Sequence, residues 1–202
     1  MCNLNRSVYR VLFALTIPLL LLGSLGSPYA NEVGLAERLI ENLSGKIIGI
    51  VESDLSIEQK HENLESLFTK YANIKVISRA ALGSKWRAIS EKTRDKFSKA
   101  FTYYLIRKYG KQFEEFEGAK MFVERSADAG KRGILVSTRF IMPGSSPISV
   151  KWQLWSKASD LKLIDIIIED ISMLTMEREE IKNRLVLHGG NINSLIEELY
   201  DL

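Results

Sequence analysis

Two runs of alternating residues joined by Pro143-Gly144-Ser145-Ser146-Pro147, with a third apolar run behind them, constrain this chain more than any other stretch. In the first run Val136, Thr138, Phe140 and Met142 point one way while Ser137 and Arg139 point the other, the period of a strand with one buried face. In the second, Ile148, Val150, Trp152 and Leu154 oppose Ser149, Lys151 and Gln153. In the third, residues 161–168, Ile164, Ile166 and Ile168 share a face. Alternation places Asp165 and Glu169 on the face opposite these isoleucines. Short connections rich in Gly, Pro, Ser and Asp make this an antiparallel meander. One face of it is crowded with large apolar side chains, so what covers that face is the functional question.

The flanking patterns are helical. Apolar residues recur at three and four from Val33 through Ile40 and Ile47 to Val51, and Ser56 with Gln59 has the form of a capping box opening a second helix. A third helix is expected over residues 74–82, stopped by Gly83 in a left-handed cap, and a fourth over 91–109 behind Ser90. In that fourth helix Phe97, Ala100, Phe101, Tyr104, Leu105 and Lys108 fall on one side. Residues 120–125 read as a strand preceding the meander. After it, Ser172 or Thr175 caps a helix with Met176, Ile181, Leu185 and Val186 apolar, and Asn193 caps a last helix, 194–200. Helices, a four-stranded antiparallel sheet and further helices define the α+β class.

Residues 1–30 read as a cleaved secretory signal peptide. Arg6 and Arg10 precede an uncharged apolar run, residues 11–22, too short for a comfortable membrane span, and small residues follow as far as Ala30. Residues 31–202 are then one domain. Removing the leader takes two of the 28 basic residues and no acidic one, leaving 26 against 25, so the charge gives no reason to expect nucleic-acid binding. The single cysteine, Cys2, leaves with the leader, so the exported chain has no thiol or disulfide chemistry.

Signatures of catalysis are missing from the sequence. There is no HExxH, CxxC, GxSxG or Gly-rich phosphate loop, and the two histidines, His61 and His188, stand at exposed or helix-end positions. No catalytic residue, metal ligand or cofactor is expected. An enzymatic reading requires an acid or base pointing inward from the sheet, which alternation denies to Asp165.

Ala81-Leu82-Gly83-Ser84-Lys85-Trp86-Arg87, followed by Phe97, Ala100-Phe101, Leu105-Ile106 and Tyr109, resembles the signature of the MlaC family of phospholipid-binding proteins, also called toluene-tolerance auxiliary components. The second half agrees in order: Phe140-Ile141-Met142-Pro143-Gly144, Pro147-Ile148-Ser149-Val150, residues 163–169 with Ile171-Ser172, Arg178, and Gly189-Gly190 with Leu195-Ile196. Three positions depart from the pattern: Asp170 where glycine is usual, Glu177 where tyrosine is, and Asn73 where aspartate is.

The resemblance implies a twisted four-stranded sheet wrapped by helices around an apolar cavity, a cone of the cystatin-like or NTF2-like kind. It implies a periplasmic, non-enzymatic shuttle carrying phospholipid between inner and outer membranes, the soluble component of an ABC transport system for outer-membrane lipid asymmetry. The partners implied are an inner-membrane ABC transporter bearing MCE domains and an outer-membrane lipoprotein–porin complex. A hopanoid-associated carrier of the same family and a cone-fold enzyme acting on a small apolar substrate are the alternatives; an adaptor whose core is filled by its own side chains is a third.

On the carrier reading the lipid-binding residues are Val136, Phe140, Ile148, Val150, Trp152, Leu154, Ile164, Ile166 and Ile168 of the sheet, with Leu82, Trp86, Phe97, Phe101 and Leu105 of the helices. Arg139, Lys151 and Arg107 are the candidates to meet a head group at the mouth.

Overall fold

A computed structural model describes residues 28–110, 117–157 and 160–202 of the chain. The leader expected over residues 1–30 lies outside the described residues as far as residue 27. Five helices come first: α1 (Pro28–Val51), α2 (Ile57–Tyr71), α3 (Ile74–Leu82), the single turn α4 (Lys85–Ala88) and α5 (Glu91–Gly110). The sheet follows as β1 (Lys120–Asp128), β2 (Ile134–Ile141), β3 (Ile148–Lys157), β4 (Asp160–Ile168) and β5 (Ile171–Ser172), and α6 (Met173–Leu187) and α7 (Ile192–Asp201) end the chain.

The sheet is an antiparallel meander in the order β1-β2-β3-β4-β5. It has five strands where the sequence predicts four, because β4 turns back through Glu169 and Asp170 into the two-residue β5. Both turn residues have positive φ, 46° and 66°, as a two-residue hairpin of this hand requires. The glycine usual at position 170 would adopt that conformation freely, whereas aspartate tolerates it at some strain. Three contacts hold the turn: the Glu169 N–H donates to the Ser149 carbonyl at 3.0 Å, Glu169 Oε1 accepts from the Ser149 N–H at 2.6 Å, and Lys151 pairs with Asp170 at 2.5 Å. Between β1 and β2, Gly133 (φ 81°) passes so close to β3 that a Cβ there would stand 1.9 Å from the Leu154 carbonyl oxygen.

Alternation sets the buried face as expected. Ile134, Val136, Thr138 and Phe140 of β2 and Val150, Trp152 and Leu154 of β3 are all buried. In β4 the alternation breaks. Gln153 faces Asp165 but Leu154 faces Leu163, so Ile164 is the extra residue of a β-bulge and the inward set becomes Leu161, Leu163, Ile166 and Ile168. This corrects the expectation that Leu163 shares the outer face with Asp165; from Asp165 to Ile168 the alternation holds.

The helical layer is pinned to β4 where α2 meets α3. Asn73 donates its backbone N–H to the Leu163 carbonyl at 2.8 Å while its side chain accepts from the Val76 N–H at 3.1 Å, capping α3. Gly83 ends α3 with positive φ but extended ψ (62°, −132°), short of the left-handed cap expected. Of the stripe along α5, Phe97, Ala100, Phe101 and Tyr104 are buried, Leu105 is half-buried and Lys108 is exposed; Phe97 and Phe101 stack at 5.5 Å and Phe101 and Tyr104 at 6.1 Å. Ser172 caps α6, and Asn191 rather than Asn193 caps α7, its side chain accepting from the Asn193 and Ser194 N–H groups. Among the described residues no helix is long and apolar enough to cross a membrane.

Candidate functional site: an apolar cavity between sheet and helices

The helices do not close completely on the sheet. Between them lies an open-mouthed cavity of about 180 Å³. Phe140 of β2, Val150 and Trp152 of β3 and residues 163–166 and 168 of β4 form the sheet side. The helical side comes from Ser44, Ile47 and Ile48 of α1, Phe68 of α2, Ile77 of α3, and Phe101, Leu105, Ile106 and Tyr109 of α5. Met173, Leu174 and Glu177 at the start of α6 complete it, and the wall is almost entirely carbon. A second cavity of about 50 Å³ adjoins the first and shares Ile47, Phe68, Ile106, Trp152, Leu163 and Ile166 with it.

Of the apolar residues singled out from the sequence, Phe101, Leu105, Phe140, Val150, Trp152, Ile164, Ile166 and Ile168 stand on the cavity wall. Leu82, Trp86, Phe97, Val136 and Leu154 are instead buried in packed core, and Ile148 packs against that core half-buried. The three basic candidates are all away from the wall. Arg139 pairs with Glu124 at 2.6 Å on the outer face, Lys151 with Asp170, and Arg107 donates to the Tyr103 hydroxyl at 3.0 Å.

Polar groups fix the wall from behind. The buried Thr138 hydroxyl accepts from Trp152 Nε1 at 2.9 Å and donates to the Val150 carbonyl at 2.9 Å, which holds the indole while satisfying its only donor. Asp165 pairs with Gln153 and so keeps the register of the far face, as expected, yet it stands among the residues at the cavity where β4 meets the start of α6. Each of its oxygens is engaged: Oδ2 accepts from the Ser172 hydroxyl at 2.5 Å and Oδ1 from the Leu174 N–H at 2.9 Å. It ties β4 to the first turn of α6.

Glu177 is the acid the sequence did not single out as buried. The expected stripe of α6 included Met176 and Val186, but both are exposed. Leu174, Glu177, Ile181 and Leu185 form the inward stripe instead, and Glu177 is only 2% exposed. An acid at helical spacing among apolar residues was the signal for this. Its Oε1 accepts from Lys108 Nζ at 2.7 Å and from the Tyr109 hydroxyl in a short contact. Burial, reinforced by the neighbouring carboxylate, pushes the Tyr109 hydroxyl well above its ordinary pKa. Burial pulls Lys108 the other way, but its hydrogen bonds to Glu177 and Tyr104 outweigh that and hold the ammonium firmly charged. Neither histidine lines the cavity; His188 contacts Glu198 at 2.8 Å. Among the described residues no cluster of His, Cys, Asp and Glu could hold a metal ion.

The model of the MlaC protein family matches residues 41–201. The chain is 24% identical over 171 residues to the intermembrane phospholipid transport system binding protein MlaC of Haemophilus influenzae, covering 80% of this chain and 78% of that protein. Its fold is similar to that of a phospholipid-binding protein from Ralstonia solanacearum solved in complex with a phospholipid. There the TM-score is 0.72 at 14% identity, over 82% of this chain and 95% of the other.

Proposed function

The chain belongs to the MlaC family, and from that membership and the unfilled apolar hollow in its interior we propose that it is a periplasmic phospholipid carrier whose cavity shelters the acyl chains. The observation that carries this reading is the hollow itself. A packed interior leaves few voids larger than a water molecule, and an empty one of 180 Å³ forgoes about 4 kcal/mol of stability at roughly 24 cal/mol per Å³. A domain that needed only to fold would fill it.

The chemistry of the wall suits the cargo. Each methylene withdrawn from water is worth about 0.8 kcal/mol, so acyl chains need a large shelter with no unmet polar demand. The hollow has room for a short stretch of chain, comparable with a dry cavity of about 150 Å³ that takes benzene. The remainder would come from the mouth and from the adjoining smaller hollow, whose shared wall gives a second tail somewhere to lie.

On this reading residues 1–30 are removed on export and residues 31–202 work as one domain in the periplasm. The head group stays near water at the mouth. Acyl chains are as well sheltered in a bilayer as in the protein, so exchange with a membrane is near neutral and its direction is set by partners. Those partners are an inner-membrane ABC transporter with MCE domains and an outer-membrane lipoprotein–porin complex. On this reading the chain acts by binding and not by catalysis.

The test is transfer of a fluorescent phospholipid from donor to acceptor vesicles. The purified chain should accelerate it in proportion to its concentration. No acceleration, from a folded protein that also takes up no lipid, would refute the reading.

A further inference from the structure

The charges are not spread evenly over the chain. Residues 74–100, which make α3, α4 and the first half of α5, hold eight basic residues and two acidic ones, a net charge of +6. The rest of residues 31–202 holds 18 basic against 23 acidic, a net charge of −5, so a nearly neutral domain is strongly polarised.

These elements form one corner of the molecule, with α3 packed against both α4 and α5. Arg94 is engaged in joining them: its Nε donates to the Trp86 carbonyl at 2.8 Å and its guanidinium lies 5.6 Å from the Trp86 ring. The other seven basic residues are exposed: Lys75 and Arg79 on α3, the two that flank buried Trp86 on α4, and Lys92, Lys96 and Lys99 on α5. The three lysines of α5 recur at four and three, which makes one stripe on the side turned from buried Phe97 and Phe101. Every ion pair among the described residues lies outside this stretch. The acids of α6, which packs on α3, are taken by Lys108, Lys182 and Arg184.

Composition selects the partner. Interfaces with proteins favour aromatic residues and arginine and are depleted in lysine, whereas this corner is rich in lysine and exposes no large apolar side chain. Ammonium groups on flexible stems suit a diffuse negative field better than fixed carboxylates. A bilayer surface bearing anionic phospholipid is such a field, and without an apolar wedge the chain rests on it and does not insert. The same helices also line the hollow from within, through Ile77 of α3 and Phe101 of α5. We propose that the α3–α4–α5 corner is an electrostatic docking surface for anionic bilayers, which holds the chain on a membrane with two of its cavity-wall helices nearest the lipid.

The test sediments lipid-loaded protein with vesicles of dioleoylphosphatidylcholine, alone or mixed in equal parts with dioleoylphosphatidylglycerol or dioleoylphosphatidylserine. Binding to both anionic mixtures and not to the zwitterionic vesicles is expected, and ~0.5 M salt should abolish it. A lysine at an anionic surface is worth about fivefold in partition, so Lys92→Gln, Lys96→Gln and Lys99→Gln combined should lower binding about 100-fold. Lys120→Gln, Lys131→Gln and Arg132→Gln remove the same charge from exposed positions on or beside β1 and should lower it far less. Equal losses in the two triple variants, binding that ignores anionic lipid, or binding to only one of the anionic mixtures overturns the proposal. So does a folded protein that leaves anionic vesicles alone but binds soluble polyglutamate, which makes the partner an acidic protein. None of these outcomes touches the carrier reading, which lipid transfer tests on its own.

Discussion

Replacing Val150 with phenylalanine should move stability and lipid affinity in opposite directions. Val150 is buried in the middle of β3 with its side chain on the cavity wall. The exchange adds about four carbon atoms, which at ~0.8 kcal/mol each is a gross gain near 3 kcal/mol if they enter the hollow. That fits within the roughly 4 kcal/mol forgone by leaving 180 Å³ open. Imperfect fit takes back about 1–3 kcal/mol. The expected net effect on the delipidated protein is therefore a gain of ~1 kcal/mol, or about 2–4 °C in Tm for a domain of this size. The same carbons displace a comparable length of acyl chain, so lipid affinity should fall by about 100-fold. Thermal unfolding followed by circular dichroism reads the first effect and lipid titration the second. A Tm lowered by several degrees with lipid affinity unchanged would mean that Val150 sits in ordinary packed core, and the reasoning fails.

Other consequences are independent of this one. Thr138→Val should destabilise the fold by about 1–3 kcal/mol in chemical denaturation by stranding the Trp152 indole N–H, and Thr138→Ser should restore most of the loss. Asp170→Gly relieves a left-handed residue at the β4–β5 turn and gives up only an exposed ion pair, so it should stabilise by ~1 kcal/mol and raise Tm by about 2–4 °C. Although burial opposes it, His188 and Arg184 together hold the Glu198 carboxyl below its ordinary value of 4.5. A depressed folded pKa stabilises fully above that ordinary value and is lost as pH falls through the folded one. The Tm difference between wild type and Glu198→Gln should thus shrink as pH falls below 4.5. A difference that grows on acidification would show the sign to be wrong.

The parts of the fold legible in the sequence are those with a strong local period. β2 and β3 alternate without a fault, and burial on one face follows directly. β4 is apolar at six of its nine positions, with Leu163 and Ile164 adjacent between Lys162 and Asp165, so alternation alone does not say which of the two faces inward. Only the pairing with β3 shows that Leu163 turns inward. A strand of two residues, β5, has no period to read. Asn191 and Asn193 are equally good caps as residues, and the chain leaving Gly190 decides between them.

The candidate site divides in the same way. Its sheet side was readable because a strand has only two faces. Its helical side was not, because the stripes of α1, α2 and α3 say that a face is buried without saying whether it meets side chains or a hollow. Phe97 and Phe101 differ by one turn on the same stripe of α5, yet only Phe101 reaches the cavity. Glu177 was hidden by the choice of stripe in α6, where Met176 and Val186 looked apolar enough to be inside.

The most direct measurement of the central claim is a native mass spectrum of the chain exported to the periplasm and purified without detergent. The account predicts a folded protein heavier than its mature sequence by the mass of bound phospholipid, with organic extraction removing that mass. A folded protein at its bare sequence mass, from preparation after preparation, would contradict it.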